Sequence, residues 1–176
     1  MPDASGHGAG WDEVVASAFD RLVLPHLGSA YNLARWLVRD PVMAQDVVQE
    51  AMLRALRFHG ELRGEAKPWL LRIVRNVAYA MQSEQRRAPE PVDPASLADL
   101  PEPACGPDDL LQRKQGWERL HRAVAALPPE LRECLVLREF EELSYKQIAD
   151  VTKVPIGTVM SRLSRARRAL LDAAPE

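Results

Sequence analysis

The sequence predicts an all-α chain of two small helical domains joined by a flexible, acidic, proline-rich linker. Three observations carry that prediction. Apolar residues recur at spacings of three and four along both halves, and no sustained alternation argues for strands. Between Ala88 and Asp109 stand Pro89, Pro91, Pro94, Pro101, Pro103 and Pro107. Proline at that density fixes φ and removes backbone donors, so neither helix nor sheet propagates. Near the C-terminus, a proline-marked turn separates two amphipathic stretches in the manner of a helix-turn-helix.

Residues 1–11 show no periodicity and read as a disordered N-terminus; no basic region followed by an apolar run suggests a secretory signal. Val14, Val15, Ala18, Phe19 and Leu22 form a first helical stripe that ends before Pro25, and a second helix covers Leu27 to Val38. Asp40-Pro41 places an N-cap and a first-turn proline ahead of Val47, Val48, Ala51, Met52 and Ala55. His59, Gly60 and Gly64 break that helix. Another begins near Ala66, with Pro68 in its first turn and Leu70, Ile73, Val74, Val77 and Met81 inward. Residues 12–87 thus form the first unit and 88–109 the linker. Residues 110–173 form the second unit, with helices expected at Leu110–Ala126, Pro129–Phe140, Ser144–Val151 and Ile156–Ala173.

A net charge of −2 over 176 residues would not advertise a nucleic-acid binder, but the charge is segregated. Ala88 to Asp109 carries −6 with no base, whereas Leu143 to Leu171 carries +5, with Asp150 its sole acid. No apolar run approaches the roughly 20 residues of a membrane span. Cys105 and Cys134 lack metal-site spacing; two lone thiols fit a reducing cytoplasm and leave a disulfide open.

The second unit holds the sharpest motif. Ser144 is a natural N-cap, and Tyr145, Ile148, Ala149 and Val151 line the buried side of a short helix. Thr152-Lys153-Val154-Pro155 forms the turn, with Pro155 stopping the first helix. Gly157 and Thr158 open a longer helix with Val159, Leu163, Ala166 and Leu170 inward. Met160, Ser161, Arg162, Ser164, Arg165, Arg167 and Arg168 take the other face. Such a helix suits the major groove, its arginines reaching guanine edges or phosphates. A merely solvated surface helix explains any single arginine but not an acid-free run from Thr152 to Leu171.

Leu127-Pro128-Pro129-Glu130-Leu131-Arg132-Glu133, Leu143-Ser144-Tyr145-Lys146-Gln147-Ile148-Ala149 and Gly157-Thr158-Val159-Met160-Ser161-Arg162 together resemble region 4 of bacterial sigma factors. Asp46 to Ala55 resembles the polymerase-clamp-binding helix of their region 2, and Pro68 to Asn76 its −10 segment. With only these two regions, the chain resembles the extracytoplasmic-function group, over about Phe19 to Leu171.

The resemblance implies that Asp46, Gln49, Glu50, Leu53 and Arg54 bind core RNA polymerase. It assigns Leu62, Arg63, Gly64, Trp69, Arg72, Arg75 and Asn76 to the −10 element, and Lys153, Gly157, Thr158, Met160, Ser161, Arg162, Ser164, Arg165 and Arg168 to the −35 element. Trp69 also reads as core, whereas Asn76 is a poor mid-helix residue suited to exposed contacts. The loop His59 to Glu65 would capture a flipped base of the non-template strand. Leu62 there stands where relatives often carry an aromatic, and Met160 where many carry Lys or Arg. The acidic linker would thread the polymerase's basic channel.

These features imply a cytoplasmic initiation factor with promoter DNA, core polymerase and an anti-sigma factor as partners, and without cofactor, metal, small-molecule substrate or catalytic residues. A rival reading is a free-standing helix-turn-helix regulator acting without polymerase. An enzyme using Cys134 with His121 is a third, opposed by the apolar setting of Leu131, Leu135 and Val136 and by the lack of an oxyanion motif.

Overall fold

The computed structural model describes residues 19–87 and 110–173, with side chains in the second stretch from Trp117 onward. The expectations for Trp11, Val14, Val15, Ala18, Cys105 and the linker 88–109 lie outside the described residues.

Residues 19–22 are helical, and Pro25 sits in a 3-10 turn, Leu24–His26, that leads directly into α1, Leu27–Val38. Arg39 ends α1 in the left-handed region at φ 63°. Helix α2, Pro41–Phe58, starts as expected: the Asp40 side chain accepts from the Val42 amide at 2.9 Å, satisfying an otherwise unpaired first-turn donor. A 3-10 turn, His59–Glu61, closes α2, and Gly64 takes φ +84° ahead of α3, Ala66–Arg87. These three helices share one core. Leu33, Ala34 and Leu37 meet Ala44, Val47, Ala51 and Ala55 on one side and Leu70, Leu71, Val74, Val77 and Ala78 on another. The alanine stripe of α2 allows close approach, and Gln82 of α3 donates to the Leu37 carbonyl at 2.8 Å.

Helix α4, Leu110–Ala126, ends where the buried Arg132 donates from Nη1 to the carbonyls of Ala125 and Leu127. The apolar pattern predicts a single helix from Pro129 to Phe140, but α5 spans only Pro129–Leu135. It loosens into a π turn, Val136–Phe140, in which the Glu141 amide reaches back to the Val136 carbonyl. The extra residue rotates Phe140 onto Trp36, with ring centroids 5.6 Å apart, and turns Glu141 inward.

Helix α6, Tyr145–Thr152, is capped reciprocally: Ser144 Oγ accepts from the Gln147 amide, and the Gln147 side chain accepts from the Ser144 amide. Lys153, at φ 57°, ends α6 before Pro155 is reached, so the turn begins two residues earlier than the proline alone implies. Helix α7, Ile156–Asp172, buries Val159, Leu163 and Ala166 against α5 and α6. The halves also pack on each other, α3 against α6 and α1 against α5.

Candidate nucleic-acid interface

The outer face of α7 is open. Ile156, Gly157, Met160, Ser161, Ser164, Arg165, Arg167 and Arg168 are exposed; Thr158 and Arg162 are half-buried. Arg165 and Arg168 have no hydrogen-bond or ion-pair partner among the described residues. Arg167 does have one: its Nη2 lies 2.8 Å from Glu139. Arg162 is half-buried, and its positive charge acts on the Cys134 thiol and on Glu133. Lys153, at the tip of the turn, is exposed and lies 3.4 Å from Asp150. The cationic ridge is therefore narrower than the sequence suggested, with Arg165 and Arg168 at its centre.

The residues expected at the −10 element are placed unevenly. Arg63 and Gly64 are exposed, and Leu62 is partly buried against the core. Trp69 is 7% exposed, a core residue with no free face for stacking. Asn76 is exposed, whereas Arg72 and Arg75 are half-buried. Arg75 is also taken: its Nε donates to Glu133 at 2.5 Å, and its guanidinium lies 4.8 Å from the Tyr79 ring centroid. Burial pushes the Tyr79 hydroxyl up to about 12, with the Glu133 charge acting the same way. Arg63, Gly64, Trp69 and Arg72 line one wall of a cavity of about 380 Å³, whose other wall is Ser144, Lys146, Gln147 and Asp150 of the second domain.

On α2, Asp46, Gln49 and Leu53 are exposed, and Glu50 pairs with Arg54 at 2.6 Å. Val42 and Leu56 extend this face, with Leu53 50% and Leu56 46% exposed. Sequence reasoning missed both. The signal was present, because Val42, Asp46, Gln49, Leu53 and Leu56 step by four, three, four and three along one side.

Cys134 is a fully buried free thiol whose pKa is pushed up by burial and by Glu133. The charge of Arg162, not His121, acts against that shift. That ring stacks on Trp36, centroids 4.5 Å apart, and is held toward its neutral form by burial and by Arg35 and Arg39. A buried, protonated thiol with no base makes a poor nucleophile. Among the described residues, no group of three or more His, Cys, Asp or Glu side chains could hold a metal, and no helix is long and apolar enough to cross a membrane.

The family model for sigma-70 region 2 matches residues 22–88, and that for sigma-70 region 4 matches residues 117–170. An RNA polymerase sigma-H factor of Pseudomonas aeruginosa is 38% identical over 162 residues, which cover 87% of this chain and 84% of that one. An ECF RNA polymerase sigma-E factor of Escherichia coli is 34% identical over 134 residues, covering 71% and 70%. The chain belongs to the extracytoplasmic-function sigma factors. Among solved structures, the sigma factor RpoE of Bartonella quintana, in complex with the anti-sigma factor NepR, matches at a TM-score of 0.75 and 25% identity, covering 89% of this chain and 96% of that one. In this sigma factor α1 to α3 lie within region 2, and α5, α6 and all but the last two residues of α7 within region 4. The region 4 helix-turn-helix is α6, the turn at Lys153, and α7.

Proposed function

We propose that the chain is a promoter-specificity subunit: it binds core RNA polymerase, directs it to −10 and −35 elements and assists strand opening. The observation that carries this reading is the outward cationic edge of α7 in the region 4 position, on a chain that also carries region 2. Residues 12–87 serve as the core-binding and −10 domain, and 110–173 as the −35 domain. Val42, Asp46, Gln49, Leu53 and Leu56 offer the polymerase an apolar strip with an acidic edge. Arg63, Arg72 and Asn76 face the opened strand, joined by Arg75 once it leaves Glu133, and Ser161, Ser164, Arg165 and Arg168 enter the duplex groove. The protein works in the cytoplasm, performs no bond chemistry of its own, and is held in check by an anti-sigma factor, as the Bartonella neighbour is captured with one.

Run-off transcription on genomic fragments tests the reading. Protein and core enzyme together should yield discrete transcripts, and neither alone should. Tight promoter binding by the free protein, without assembly on core enzyme, would replace it with the free-standing regulator.

A further inference from the structure

Two carboxylates of region 4 occupy cations of α3. Glu133, on α5, is 1% exposed; its Oε1 lies 2.5 Å from Arg75 Nε and its Oε2 3.4 Å from Arg75 Nη2. Glu141 follows the π turn and is likewise buried. Its Oε2 lies 3.1 Å from Lys67 Nζ, which also donates to the Glu141 carbonyl at 2.8 Å, and its Oε1 accepts from Asn32 of α1 at 2.6 Å. Lys67 and Arg75 stand eight residues apart on α3, about 12 Å along the axis. Glu133 and Glu141 are also eight apart, and they pair in reverse order. Two contacts in matched antiparallel register form a clasp, and Arg63 and Arg72 line a cavity whose opposite wall is Ser144, Lys146, Gln147 and Asp150 of region 4.

We propose that region 4 masks the −10 surface within the same chain, Glu133 and Glu141 standing in for the phosphates of the strand until the clasp opens. This rests on the reading above that the face of α3 binds the opened strand. A carboxylate and a phosphate oxygen compete for one guanidinium, because both are satisfied by the same charge-assisted geometry. A strand lying along α3 needs the volume that α6 fills, so masking and binding exclude each other. The clasp can release because desolvating two carboxylates offsets much of their attraction to Arg75 and Lys67. A buried ion pair of this kind specifies one docked arrangement without making it tight.

The test uses the full chain carrying Glu133→Gln with Glu141→Gln. Both substitutions keep shape, and the amide oxygen introduced at position 141 can still accept from Asn32. Solution X-ray scattering reports domain separation. Fluorescence anisotropy with a labelled random-sequence single-stranded DNA reports access to α3, and circular dichroism confirms that the helices are retained. The double variant should show a larger radius of gyration and bind the strand about tenfold tighter, as expected when an open state held to roughly one part in ten is released. Glu141→Gln alone should move both readouts in the same direction by less. An unchanged radius overturns the clasp, whatever the DNA result. Expansion with no gain in affinity overturns the masking, and an Arg72→Ala variant that binds the strand as well as the parent overturns the assignment of the strand to α3.

Discussion

Helix α3 buries Leu70, Val74 and Val77 and carries Arg72 and Arg75, both half-buried, beside that stripe; α7 buries Val159, Leu163 and Ala166 and turns Arg165 and Arg168 outward. On sequence the two look equivalent: an apolar stripe opposed by arginines. In the fold they are not. Arg75 meets a carboxylate and an aromatic ring from its own chain, while Arg165 and Arg168 meet solvent. A periodic pattern therefore identifies a cationic face but does not say whether the face is vacant. Vacancy depends on what the rest of the chain brings opposite, and here α5 and the π turn bring acids.

The sharpest way to break this comparison is to remove one arginine from each helix. Arg75→Ala strands Glu133, whose pKa is already raised by burial despite the nearby Arg75, and should cost about 1.4 kcal/mol at pH 7, the most that a clasp held closed tenfold can lose. Arg165→Ala should leave stability within about 0.5 kcal/mol, as surface changes do. Denaturant unfolding measures both. The pH dependence fixes the cause. A carboxyl whose folded pKa lies above its unfolded one contributes stability that is fully present below the unfolded value and is lost as pH rises through the folded one. Around Glu133 stand Arg75 and Tyr79 of α3, Glu130 and Cys134 of α5 and Arg162 of α7; of these, only Arg75 and Arg162 offset burial. Arg75→Ala should therefore be less harmful at acidic pH, where Glu133 can take a proton. Adding Glu133→Gln should restore most of the loss at pH 7. A loss of equal size at both pH values would mean that Arg75 acts through packing on Tyr79.

Helix starts were legible because capping is local. Asp40-Pro41 and Ser144 announce themselves within a turn of the helix they open, and α1 falls where its apolar spacing placed it. The clasp was not legible. Glu133 lies 58 residues from Arg75, and on sequence it is one more acid in a helix. The π turn was hidden because Leu135, Val136, Leu137 and Phe140 keep an apolar pattern that an uninterrupted helix satisfies equally well. Trp69 could be read both as core and as a base platform, and its burial makes it core. Exposed apolar residues such as Leu56 escaped because a search for charged flanks passes over them.

A second contrast separates DNA reading from polymerase docking. Arg165→Ala should reduce discrimination at one −35 base pair by about 1–3 kcal/mol, if the side chain reaches a base edge, and leave assembly with core enzyme unchanged. Asp46→Ala, on the exposed face of α2, should weaken assembly and leave sequence preference intact. Competitive binding to core enzyme and transcription from mutated −35 sequences distinguish the two. Equal effects of both variants on isolated DNA binding would show that the two surfaces do not divide the work.

The smallest effect concerns the apolar part of the α7 face. Met160 is 54% exposed and Ile156 50% exposed, one turn apart and beside Ser161 and Ser164. A thioether cannot donate to guanine, but it can cover the methyl group that distinguishes thymine in the major groove. Uracil pairs as thymine does and lacks only that methyl. Replacing −35 thymines one at a time by uracil should therefore weaken binding of the polymerase complex at one position, by about 0.8 kcal/mol for the contact area of a single methyl. In the Met160→Ala variant the same replacement should cost almost nothing. If uracil is tolerated everywhere by the parent protein, Met160 faces the phosphates rather than the bases. The α7 reading would then rest on its serines and arginines alone.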